Sequence, residues 1–120
     1  MTLREFFVTV GGDYDEVLGR LGSEKLILKF VRRMPEEPTF QMLKDSMDSG
    51  NIAEAFRAAH TIKGVCLNLG LDALGKSSGD LTEMLRPDKN PDGVNMDEAR
   101  AMYEKVSADY ACMMDAVKEL

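Results

Sequence analysis

Apolar residues recur at three- and four-residue intervals along most of the chain, and alternating runs of β-branched residues are nearly absent. The pattern therefore predicts helices and gives strands little support. Leu3 to Val10 reads as a short helix ended by Gly11-Gly12, and Tyr14 to Leu21 as another ended by Gly22, the residue type that best takes a left-handed C′ position. With Ser23 as N-cap, Glu24 to Arg33 carries Leu26, Ile27, Phe30 and Val31 at helical spacing until Pro35-Glu36-Glu37-Pro38 removes backbone donors. A helix from Thr39 to Asp48 stops at Gly50.

Asn51 with Glu54, and Asn95 with Glu98, have the spacing of capping-box variants. They open helices predicted over Ile52 to Leu69, closed by Gly70, and over Met96 to about Lys118. The last carries Ala99, Met102, Tyr103, Val106, Tyr110, Met113 and Val117 on one side. Between them, Asp72 to Leu85 returns from the Gly70 turn and stops at Pro87, and Asp88 to Gly93 reads as a solvated loop. Amphipathic helices with short connections bury their stripes best side by side. The expected fold is all-α, an antiparallel four-helix bundle with additional short N-terminal helices, as one domain over residues 1–120.

The 44% hydrophobic and 30% charged content of the chain fits an ordinary globular protein, and a net charge of -6 without a basic run argues against a nucleic-acid partner. No apolar stretch reaches the ~20 residues of a membrane span, and the N-terminus lacks a secretory signal pattern. A cytoplasmic chain, with no membrane partner, is expected. Cys66 and Cys112 form no CxxC pair, and with one histidine in the chain no metal set is complete. They are expected to be reduced structural thiols.

That histidine is where the candidate chemistry lies. On the helix Ile52 to Leu69, the residues Ile52, Ala55, Ala59, Ile62, Cys66 and Leu69 form one apolar stripe, and His60 stands at its edge, about 100° round from Ala59. Phe56, Lys63, Gly64 and Leu67, three or four residues from it or one turn further, share its patch. A neutral imidazole is a nucleophile that can hold a covalent group, Lys63 can balance an anion, and a mid-helix glycine costs about 1 kcal/mol relative to alanine, which invites a reason such as close approach by another molecule. The return from Gly70 brings residues near Asp80 to Thr82 level with His60, where Thr82 would offer a hydroxyl. Each feature alone has a bland reading as surface or core. Together they point to a phosphoryl or anion site.

The stretch Ala59-His60-Thr61-Ile62-Lys63-Gly64-Val65-Cys66-Leu67-Asn68-Leu69-Gly70 resembles the signature of histidine phosphotransfer (HPt) domains, commonly written AHxLKGxxxxxG. The resemblance implies a four-helix bundle that accepts a phosphoryl group on His60 from a phospho-aspartyl receiver or a histidine kinase and passes it to a response-regulator receiver. It makes Lys63 the supporting cation and Gly64 the small residue of the docking surface, with Asn68 and Gly70 shaping the helix end. Position 65 is Val where Ser or Ala is frequent, and position 82 is Thr where some members have an assisting Gln.

Ala53, Phe56, Leu67 and Ser78, with Thr82, are the expected docking residues, since an apolar patch around the transfer site can seat a partner helix. The expected partners are a receiver domain, a sensor kinase, or both. No cofactor is expected on this chain, magnesium is expected on the receiver, and a monomer is expected. No Gly-rich ATP loop appears, so the chain reads as a phosphoryl carrier and not an autonomous kinase. Two rival readings are an adaptor bundle that docks without carrying phosphate, and a metal or haem bundle using His60 as ligand.

Overall fold

Local signals start most of the helices. Thr2 and Glu5 form a reciprocal capping box, and Asp13, Ser23, Asn51 and Asn95 each accept a hydrogen bond from the backbone N–H three residues on. At Asn51 the reciprocal arm is missing, because Glu54 pairs with Arg57 instead. A computed structural model describes residues 1–120 as seven α-helices: α1 (Leu3–Thr9), α2 (Tyr14–Leu21), α3 (Glu24–Val31), α4 (Thr39–Ser49), α5 (Ile52–Leu69), α6 (Asp72–Leu85) and α7 (Met96–Lys118). There are no strands. Short 3-10 turns lie at Met34–Glu36 and Pro87–Lys89.

The all-α fold is an antiparallel bundle of α4 to α7, in which successive helices are neighbours. Phe40 of α4 closes the ring by stacking on Tyr103 and Tyr110 of α7, with centroids 6.5 and 3.9 Å apart. Ile27, Leu43, Leu74, Leu81 and Leu85 are fully or almost fully buried in the shared core, and each such side chain contributes about 1.5–3 kcal/mol relative to an exposed one. No helix is long and apolar enough to cross a membrane.

The short N-terminal helices cap the end of the bundle where α5 turns into α6. Gly70 makes that turn at φ +71°, and a Cβ on it would meet Val17 Cγ2 at 2.2 Å. Val10 accepts a hydrogen bond from the N–H of Ala73, and Arg20 donates to the carbonyls of Leu67 and Asn68 at 3.0 and 3.2 Å. Arg20 thus satisfies carbonyls that the last turn of α5 leaves without helical partners. The segment from Asp88 to Gly93 is exposed, as expected of a solvated loop, except for half-buried Asn90. The Asn90 amide folds back to donate to the carbonyls of Met84 and Arg86, at 3.1 and 2.7 Å, and closes the C-terminus of α6.

Candidate functional site

Helix α5 divides cleanly. Ala55, Ala58, Ala59, Ile62, Cys66 and Leu69 are buried, while Ala53, Arg57, His60, Thr61, Gly64, Leu67 and Asn68 face solvent. The imidazole of His60 is exposed and lies nearly parallel to the half-buried ring of Phe56, at 16° and 6.1 Å between centroids. Phe56 in turn carries the guanidinium of Arg86, the C-cap residue of α6, 5.2 Å from its ring centre.

Helices α5 and α6 run back from Gly70 in steady register. Gly75 lies against Cys66 and Leu67, Gly79 against Lys63, and Arg86 against Phe56. Glu83 accepts from Arg86 at 3.1 Å and pairs with Lys89 at 2.5 Å. The hydrogen bonds from Lys89 and then Arg86 pull its carboxyl from 4.5 down to about 2. A carboxylate whose pKa is lowered by folding stabilises the fold above its unfolded pKa and loses that contribution as pH falls towards the folded value. Wild type is therefore expected to be more stable than Glu83→Gln at neutral pH, with the difference fading between pH 4.5 and about 2. Urea unfolding of both chains across that range checks it, and a pH-independent difference contradicts it.

Lys63 is half-buried and its stem leans over Gly79 of α6, yet it enters no salt bridge. It lines a surface groove of about 340 Å³ between the two helices, together with Leu67, Gly75 and the charged side chains of Asp72, Lys76, Asp80 and Glu83. Gly64 is exposed, and a Cβ there would meet nothing within 4 Å. The fold makes no demand for glycine at that position.

Two expected positions need correction. Thr82 is level with His60 along the register but is fully buried, and its hydroxyl donates to the Ser78 carbonyl at 2.7 Å. Ser78 is fully buried too, donating to the carbonyl of Leu74 at 2.6 Å. Neither can touch a phosphoryl group or a docked partner in this arrangement. A buried hydroxyl must find an acceptor, and the carbonyl one turn back is the nearest. The register sets height along the helix but not the direction a side chain takes, and the residues that meet the site from this side include Gly79 and Glu83 of α6 and Arg86 at its C-cap. Sequence reasoning missed these three. Applying the antiparallel register to the polar positions of α6, instead of its apolar stripe, would have found Arg86 opposite Phe56.

Ala53 and Leu67 are exposed, Leu67 by 54%, and with half-buried Phe56 they give the face an apolar component. Cys66 is buried, and desolvation pushes its thiol up to about 12, so it stays protonated at neutral pH. No group of three or more His, Cys, Asp or Glu side chains stands close enough to hold a metal ion.

A nucleophilic imidazole, a free ammonium one turn on and a bare helix surface beside them are the parts a phosphoryl carrier needs. A family model described as the Hpt domain matches residues 25–109, from α3 into α7, and includes this whole face. The chain belongs to the Hpt domain family. Membership implies histidine phosphotransfer in two-component systems, and Hpt domains interact with receiver domains or kinases. No curated protein and no solved structure matched the chain. The Hpt match leaves out α1 and α2, the helices that clamp the α5–α6 turn.

Proposed function

We propose that this Hpt domain is a phosphorelay carrier that takes a phosphoryl group on His60 from a phospho-aspartyl receiver or a histidine kinase and hands it to a response-regulator receiver. The observation that carries the reading is the exposed imidazole beside Gly64, on a helix face where the fold needs neither residue. An unprotonated ring nitrogen of His60 attacks phosphorus in line, the bond from phosphorus to the aspartyl oxygen breaks, and the carboxylate leaves. Transfer to the next receiver is the same step in reverse. The transition state is loose, so alignment and charge balance do most of the work. Lys63 supplies a cation from this chain, and Phe56 limits the tilt of the imidazole. Ala53 and Leu67 add apolar area to the face that receives the partner. Magnesium, in this reading, belongs to the receiver.

Mixing the protein with a radiolabelled phospho-receiver or active kinase tests the reading. Label that moves to this chain and is lost in acid but kept in alkali is expected of a phosphohistidine. A chain that binds active donors and acquires no label is an adaptor, and the relay reading fails.

Gly64 separates fold from docking. Gly64→Ala places its Cβ in open space on a helix and is expected to stabilise the protein by about 1 kcal/mol. Gly64→Gln is expected to keep that stability but to raise the receiver concentration needed for half-maximal transfer. Thermal unfolding and transfer titrations read the two effects, and normal docking by Gly64→Gln contradicts the steric role.

A further inference from the structure

Helix α6 has bare backbone at two positions facing α5, and they differ in kind. At Gly75 a Cβ would stand 3.3 Å from the Cβ of Cys66, so close packing of the two helices accounts for the glycine. At Gly79 the three atoms nearest a Cβ would all belong to the stem of Lys63, at 3.4, 3.6 and 3.7 Å from Cδ, Cε and Cγ, distances of ordinary contact. Packing does not call for glycine there, and a mid-helix glycine carries a propensity penalty.

We propose that Gly79 is a positioning residue for phosphoryl transfer, its bare backbone letting Lys63 lie across α6 so that the ammonium is held in the groove one turn from His60. The inference rests on the reading of Lys63 as the supporting cation. A lysine stem laid along another helix has fewer rotamers left to lose when an anion arrives, which is the benefit of preorganisation. The ammonium is also left free to meet that anion. Glu83, a carboxylate that also lines the groove, is already engaged by Arg86 and Lys89, and Asp80 forms no ion pair with Lys63. A larger side chain at 79 would lift the stem into solvent and loosen the position of the charge.

A double-mutant cycle tests this, using single-turnover transfer from a saturating phospho-receiver. Lys63→Ala is expected to slow transfer by about tenfold, a modest loss for one transition-state cation. Gly79→Leu is expected to slow it to a similar degree, with the half-saturating receiver concentration unchanged, and the double variant should be no slower than Lys63→Ala. Slowing by Gly79→Leu that multiplies with Lys63→Ala, or that shows as weaker half-saturation, means the new side chain blocks the partner, and the proposal fails. A Gly79→Leu chain at the wild-type rate also overturns it while leaving the Lys63 role standing. If Lys63→Ala itself transfers normally, both fall. Should Gly79→Leu not fold, Gly79→Gln, whose side chain also reaches beyond Cβ into the space of the stem, carries the same cycle. Proton NMR of the wild type gives a readout independent of transfer: a nuclear Overhauser contact between the Lys63 δ or ε methylene and the Gly79 α protons is expected, and its absence overturns the proposal.

Discussion

His60→Gln is expected to keep the wild-type fold and to lose phosphoryl acceptance down to background. The imidazole is exposed, enters no hydrogen bond or ion pair, and has the Phe56 ring lying nearly parallel to it. Exposed substitutions of this kind usually change stability by no more than about 0.5 kcal/mol. Glutamine keeps the size and polarity of the side chain, but its amide nitrogen has no lone pair free for attack on phosphorus. Thermal unfolding and phospho-donor labelling of the two chains are the measurements. A variant that still takes acid-labile label places the phosphoryl group elsewhere, and since His60 is the only histidine, it would exclude phosphohistidine altogether.

The second large effect is on stability. Gly12→Ala would bring a Cβ to 2.1 Å from the Gly70 carbonyl oxygen and 3.0 Å from the Phe7 ring. The obstacle is backbone, in a turn held at φ +71° and packed on Val17, so it cannot rotate away as a flexible side chain would. Overpacking costs typically 1–3 kcal/mol, and a clash with backbone belongs at the top of that range, about 3 kcal/mol. For a chain of this size that corresponds to roughly a 10 °C fall in Tm. Because Phe6 and Phe7 are buried in the same contact, partial relief by detaching α1 would expose both rings. Calorimetry on Gly12→Ala checks the estimate, and a Tm within a degree or two of wild type contradicts the clamp.

This clamp also shows where the sequence stopped being legible. The glycines at 11, 12, 22, 50 and 70 marked helix ends correctly, since a left-handed or tight turn is a local requirement. That Gly12 must be small because Gly70 sits on it is a contact between distant residues, and no local pattern carries it. The buried stripe of α5 was readable from its 100° periodicity, except that Ile52, in the first turn, is only half-buried and Ala58 was missed because a wide stripe buries its flank as well. The final helix was legible in span and face for the same reason.

Within the site, the division is similar. His60, Lys63 and Gly64 share one helix, so spacing alone brought them together. The α6 side needed both register and rotation. Ser78 belonged to the apolar stripe with Leu74, Leu81 and Leu85, and that stripe already implied the burial that removes it and neighbouring Thr82 from the surface. Arg86 was obscured by its place at the helix end beside Pro87, where it reads as an ordinary solvated charge. Asn90 closing α6 from several residues away was hidden by the loop-like composition around it.

The claim at the centre is that His60 both accepts and surrenders a phosphoryl group. Isolating the phosphorylated protein, mapping the group, and adding an unphosphorylated receiver tests it most directly. One phosphoryl group on His60 that disappears as the receiver gains one is the result expected. A phosphoryl group found on another residue, or one on His60 that no receiver removes, would contradict the relay.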